Sequence, residues 1–331
     1  MNELQQILAA IENAPAGDAV LVTLVDVEGS SYRRPGARLL LTKDDQRIGS
    51  ISGGCLEDDV IAHAQRVRTS GRPTMVIYDT TSENDLVWGV GSGCHGIVHL
   101  LEKLPLSPAW VSALRDNTLR RAPTELATIW RGPAGIVLGT CLASALPPES
   151  DISAFRQTVF PPAALTIFGA GDDAGPLVRF AKELGWEVTI VDARPAFATP
   201  GRFPEADAVI VARPEEAVAR INPAADSAAV IMTHHYRHDV PLLRTLLPRP
   251  LAYLGVLGPK KRTDMILADI EADGLAISAA MRARLRAPVG LDLGADNPEE
   301  IALSILAEMT AVLAGRDARP LRERPGPIHA G

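Results

Sequence analysis

The chain has 331 residues, of which 47% are hydrophobic, 22% charged and 4% aromatic, with a formal net charge of −7. That composition fits a globular protein of about two domains, each able to bury its own core. Scattered basic residues and few aromatics exclude a nucleic-acid surface, no apolar run approaches the roughly 20 residues of a membrane span, and three cysteines are too few for a disulfide framework.

Residues 2–13 place Leu4, Ile7, Leu8 and Ile11 on one helical stripe. This start lacks the basic region of a secretory signal, and free thiols suit a reducing compartment, so a cytoplasmic location is expected. Residues 19–29 predict a buried strand, 38–52 a hairpin about Lys43, Asp44 and Asp45, 56–71 a helix stopped by Gly71, and 74–81 and 96–104 further strands. Residues 105–124 read as a connector with a short helix at 108–115, and 126–143 as a hairpin across Arg131 and Pro133. Proline-rich stretches at 145–164 separate a domain over 1–150 from one over 160–331. Thereafter strands at 165–168, 187–192, 207–212, 228–233 and 251–257 alternate with helices near 173–184, 214–220 and 239–247. Helices at 261–274 and 297–315 close the chain, the second with Asn297 as cap and Pro298 at its first position. The expected fold class is α/β: an N-terminal mixed α/β domain followed by a Rossmann-like, doubly wound parallel sheet.

Two cysteines sit in glycine settings. Cys55 follows Gly53 and Gly54 and precedes a helix, and Cys94 lies in WGVGSGCHG with His95 beside it. Glycine permits tight turns and close approach of a ligand. The helix dipole favours a Cys55 thiolate, while Glu57, Asp58 and Asp59 oppose it. The two cysteines stand 39 positions apart, which is neither a zinc pair nor a redox C-x-x-C. Cys141 has no polar companion and reads as a packed residue. Ser30, Ser31, Arg33, Arg34 and Arg38 surround Gly29 and Gly36; hydroxyls and guanidinium groups of this kind suit a phosphate or a polar heterocycle, or simply a surface turn.

In the second half Gly169, Gly171 and Ala174, followed by Gly175, match the dinucleotide turn G-x-G-x-x-G/A between a strand and a helix. Asp192 ends the next strand, where an acid bonds a ribose hydroxyl, with Arg194 close behind. Asp172 and Asp173 in the turn compete with a phosphate. His234, in MTHHYRHD, belongs at a strand's carboxyl end and reads as a ligand-facing or a structural histidine; its neighbours His235 and His238 are poorly spaced for one metal. Lys260, Lys261 and Arg262 read as an anion-steering group or a solvated basic face.

Taken together, GSSYRRPGARLLL, IGSISGGCLEDDV, WGVGSGCHG, FGAGDDAG, MTHHYRHDVPLL, YLGVLGPKKRT and PVGLDLGADNPEEIALSILAEM resemble the XdhC/CoxI family of maturation proteins for molybdenum hydroxylases, in the family's order and over nearly the whole chain. The resemblance implies a carrier rather than a turnover enzyme. Such a carrier binds molybdenum cofactor, as molybdopterin or its dinucleotide form, while a terminal sulfido ligand is installed, and passes it to an apo molybdenum hydroxylase of the xanthine dehydrogenase, aldehyde or CO dehydrogenase type. It also implies a cysteine desulfurase as sulfur donor, with Cys55 and Cys94 matching the family's cysteines as thiolate ligands to molybdenum. The turn GAGDDAG departs from a shorter G-A-G-H-x-G form. The competing expectations are an NAD(P)-dependent oxidoreductase built on Gly169, Gly171 and Asp192, and a nucleotide-dependent assembly factor. The first lacks a Tyr-x-x-x-Lys pair and the second a P-loop lysine. Apolar helices at both termini make a homodimer the expected assembly.

Overall fold

The computed structural model describes residues 3–13, 18–29, 33–52, 56–78, 94–104, 108–148, 151–221, 223–224 and 226–324. The chain divides into two compact units, residues 2–161 and 162–331.

The first unit is built on a five-stranded antiparallel sheet of β1 (Val20–Gly29), β2 (Arg38–Leu41), β3 (Arg47–Gly49), β4 (Thr74–Tyr78) and β5 (Cys94–Lys103), in the order β3-β2-β1-β5-β4. Side chains alternate across a strand, so the apolar run of β1 serves both faces of the sheet. Val20, Val22 and Leu24 face one side, with Leu39, Leu41 and Leu101, and bury Val60, Ala64 and Val67 of α2 (Glu57–Ser70). Those three helix positions recur at the spacing of one helical face. Gly71 ends α2 as expected, with φ 67° and its N–H on the Val67 carbonyl at 2.8 Å. Leu21 and Leu40 face the other side, against Ile7 and Ile11 of α1 (Glu3–Asn13), Trp110, Val111 and Leu114 of α3 (Ala109–Leu119), and Leu126. Each such fully buried aliphatic side chain contributes about 1.5–3 kcal/mol.

The expected 126–143 hairpin is present as β6 (Thr124–Arg131) and β7 (Gly139–Leu142). A third strand, β8 (Ser153–Val159), pairs antiparallel with β6 inside the proline-punctuated stretch that the sequence reading treats as a boundary. This pairing keeps the chain in the first unit through Pro161.

The second unit is the expected doubly wound sheet. Its strands β9 (Ala164–Phe168), β10 (Glu187–Asp192), β11 (Ala208–Val211), β12 (Ala228–Ile231), β13 (Tyr253–Val256) and β14 (Leu285–Arg286) run parallel in the order β11-β10-β9-β12-β13-β14. Helices α4 (Ala174–Glu183) and α9 (Pro298–Leu313) cover one face through Leu177, Val178, Ile305 and Met309. Helices α5 (Pro214–Ile221), α6 (Tyr236–Leu246) and α7 (Lys260–Ala272) cover the other through Val218, Leu243 and Ile266, and a short α8 (Ala279–Arg284) leads into β14. The α9 cap is as read: the Asn297 side chain accepts from Glu300 N at 2.9 Å. Because the order reverses between β9 and β12, their carboxyl ends open the crevice where this fold binds ligands.

Candidate functional site

In the first unit the end of β1 lies beside the start of β5, with Gly29 opposite Cys94. The chain leaves β4 at Tyr78 on the way to Cys94 and enters α2 at Glu57, two residues after Cys55. Ser30, Ser31, Gly53, Gly54 and Cys55 lie outside the described residues. The residues flanking them form a buried polar cluster. The Glu57 carboxylate accepts from Ser52 N at 3.0 Å, Ser50 Oγ at 3.1 Å and Leu56 N at 3.2 Å, and also from Ser52 Oγ. Leu56 N donates in addition to Ser52 Oγ at 3.2 Å. Ser52 is thus tied to both Leu56 and Glu57. Burial pushes the Glu57 carboxyl up, but the hydrogen bonds from Ser52 and Ser50 outweigh it and hold the group below its ordinary value.

Beside this clamp lies His99, fully buried, with both ring nitrogens lacking a hydrogen-bond partner among the described residues. Its ring meets that of Tyr78 edge-on at 5.6 Å, and Tyr78 Oη donates to Asp59 at 2.5 Å. Burial pushes the imidazole down to about 4, against the pull of Glu57, so it is neutral at physiological pH. The sequence reading took Glu57 only as a charge opposing the Cys55 thiolate, and it missed Ser52 and His99. A histidine inside the apolar strand GIVHLLEKL was the available signal; the five-residue spacing from Ser52 to Glu57 matches no capping box.

Arg38 is corrected. It does not stand at a ligand-facing surface: it is 3% exposed, on the face of the sheet that turns toward β8. There Nη1 donates to Gln157 Oε1 at 2.8 Å and to the Gly36 carbonyl at 3.1 Å. Its Nε and Nη2 have no partner among the described residues, and burial lowers the guanidinium to about 10. The pairing of β1 with β2 sets this direction, because Arg38 lies opposite the buried Thr23. Arg34, four residues earlier, is exposed. Cys141 is a half-buried free thiol whose pKa burial and Glu102 both raise, in keeping with the packing role read for it. It lines a cavity of about 740 Å³ with Glu102 and Thr140, on strands of the first unit.

At the crevice of the second unit Gly169 has φ 124°, and a Cβ there would lie 2.4 Å from the Met232 carbonyl oxygen, so the first glycine of the turn is fixed by the approach of β12. The position of a Cβ on Gly171 is open, with His234 Cδ2 as nearest atom at 3.9 Å, and that of Gly175 meets Arg179 at an ordinary 3.6 Å. Ala174 is fully buried, as the close helix packing of this motif requires. Asp192 is engaged already. One oxygen accepts from Ala170 N at 2.8 Å and Arg194 Nη2 at 2.8 Å, the other from Arg194 N at 2.8 Å and Nε at 2.9 Å. Burial raises its pKa, but these bonds, Arg194 foremost, bring it below the ordinary value. Arg194 also lies over the Phe197 ring at 3.9 Å. Both turn acids already have side-chain partners: Asp172 pairs with Arg202 at 2.9 Å, and Asp173 meets His234 Nε2 at 3.0 Å. His234 holds φ 56°, a left-handed conformation that costs a non-glycine residue about 1–2 kcal/mol. Among the described residues no cluster of acids, histidines and cysteines could hold a metal, and no helix is long and apolar enough to cross a membrane.

A cysteine-bearing α/β unit followed by a Rossmann unit whose ligand crevice is lined by a modified glycine turn defines a two-part cofactor-handling protein. Residues 14–79 match the model of the XdhC and CoxI family, and residues 165–309 that of the XdhC Rossmann domain. The chain is 36% identical over 313 residues to a probable xanthine dehydrogenase subunit of Bacillus subtilis, covering 88% of this chain and 92% of that one. It is 27% identical over 305 residues to the molybdenum cofactor insertion chaperone PaoD of Escherichia coli, covering 92% and 86%. A crystal structure of a xanthine dehydrogenase from Bacillus halodurans superposes with a TM-score of 0.77 at 31% identity, over 98% of both chains. The chain belongs to the XdhC and CoxI family. Its Rossmann unit is no evidence for a nicotinamide-dependent oxidoreductase: it matches the XdhC Rossmann domain, and the likeness to a molybdenum cofactor insertion chaperone runs through it.

Proposed function

We propose that the protein carries molybdenum cofactor as cargo, holding it for sulfuration and inserting it into an apo molybdenum hydroxylase of the xanthine dehydrogenase type. The observation that carries this reading is the likeness to an insertion chaperone across 92% of the chain, through both units. Cys55 and Cys94 are the soft ligands for molybdenum, and both adjoin the segments that frame the Glu57 and His99 cluster. Gly53, Gly54, Ser30, Ser31 and Arg34 supply backbone and polar groups around them. In the second unit Gly169, Gly171, Gly175 and His234 form the edge that takes a phosphate-bearing group, of the cofactor or of a nucleotide such as NAD, with Asp192 ordering the turn. A cysteine desulfurase supplies the sulfur, the carrier works as a homodimer in the cytoplasm, and no reaction turns over on it.

The test is to purify the protein, under reducing conditions, from cells that make molybdenum cofactor and to oxidise bound pterin to its fluorescent form. Wild type yields about one pterin per chain, and Cys55→Ala loses most of it. In parallel NAD, NADP and ATP are titrated; tight NAD binding by a pterin-free protein overturns the carrier reading.

A further inference from the structure

A line of hydrogen bonds crosses the carboxyl edge of the Rossmann sheet and ends on Thr233 and His235, the residues on either side of His234. Arg262, in the first turn of α7, donates through Nη2 to the Asp239 carboxylate in the first turn of α6. The other oxygen of Asp239 accepts from Thr233 Oγ1 at 2.5 Å. That hydroxyl in turn accepts from His235 N at 3.1 Å, and the His235 carbonyl receives the N–H groups of His238 at 2.9 Å and Asp239 at 3.0 Å. The residues on both sides of His234 are therefore tied down, and His234 alone between them takes the left-handed conformation. That conformation sends its imidazole across the crevice to Asp173, beside the open position over Gly171. Asp239 is 1% exposed. A carboxylate so deeply buried needs both of its partners to stay charged.

We infer that Asp239 and Arg262 are positioning residues that hold the His234 imidazole over the Gly169–Gly175 turn, where it meets the phosphate of the ligand. The positioning stands on the geometry; its use rests on the phosphate reading proposed above. Asp173 occupies the imidazole in the free protein, and an incoming phosphate takes that carboxylate's place as its partner. Lys260 and Lys261, which the sequence grouped with Arg262, do not share its contact with Asp239 among the described residues. Of the three basic residues Arg262 is the one turned inward, with its side chain 20% exposed.

Imidazole ¹⁵N signals of the full-length protein test this, with His234 assigned by His234→Gln. In Asp173→Asn the His234 signal reports loss of its partner. Asp239→Asn and Arg262→Gln are expected to move the His234 signal in the same way with the other histidines beyond this loop unmoved, and Arg262→Lys to restore it in part. If Asp239→Asn does not fold, Arg262→Gln carries the comparison, its side chain being the more exposed of the two. A wild-type His234 signal in folded Asp239→Asn and Arg262→Gln overturns the inference. Inorganic pyrophosphate is the second probe. It is expected to shift the wild-type His234 signal and to bind at least about 5-fold more weakly to Arg262→Gln. If pyrophosphate leaves wild-type His234 unmoved while both variants displace it, the phosphate reading falls and the positioning role stands.

Discussion

At the scale of single residues, the chemistry lies in side chains whose direction is set by strand register. His99 illustrates what register hides: in the sequence it is one polar letter in an apolar strand, and only its pairing opposite Leu24 and Val76 turns it toward α2 and Glu57. Its burial has a pH consequence. The folded-state pKa of about 4 lies below the ordinary 6.5, so the unfolded chain binds the proton first as pH falls. Stability is complete above about pH 6.5 and declines toward about pH 4, at up to about 1.4 kcal/mol per pH unit. His99→Leu is expected to flatten urea-denaturation midpoints across that window and to leave stability at pH 7.5 unchanged or slightly raised, because two nitrogens without a partner among the described residues are removed. An unchanged slope would show that another group titrates there. Arg38 teaches the complementary lesson. The run of serines, arginines and glycines around it suggested a phosphate-binding or surface turn, and its position opposite Thr23 sends it inside.

At the scale of elements, those with their own punctuation were legible. Gly71 stops α2, Asn297 caps α9, and the strand and helix alternation from 164 onward forecasts the parallel sheet. The strand β8 was not legible, because its alternation is weak and its place comes from pairing with β6, a contact nearly thirty residues distant in the chain. Helix α6 starts at Tyr236 rather than near 239, since the start depends on the Thr233, His235 and Asp239 bonds instead of a standard cap. The glycine turn was legible as a motif, but not the different duties of its glycines. Gly169→Ala collides with the Met232 carbonyl in a left-handed conformation and is expected to lower stability by about 2–4 kcal/mol, a fall in Tm of about 6 °C or more. Gly171→Ala has room and is expected to stay within about 0.5 kcal/mol of wild type. Calorimetry of the two variants separates backbone crowding from ligand access.

At the scale of the whole molecule, the hydrophobic residues sort themselves by unit. The clusters around the Rossmann sheet draw only on residues from 163 onward, and those around the five-stranded sheet only on residues up to 159. A fragment spanning 162–331 is therefore expected to fold cooperatively without the first unit, with one sharp thermal transition in far-UV circular dichroism; a broad, non-cooperative melt would refute this. The division of labour follows the same line, with the thiols before residue 161 and the phosphate-type turn after it. The Ser52, Leu56 and Glu57 bonds give the thiol half a further property. They hold Ser52 against Leu56 and Glu57, so the spacing of these residues is set before any ligand arrives. For the cargo proposed above, docking beside Ser52, Leu56 and Glu57 asks for little reordering of those three residues, and less of the binding free energy is lost to it.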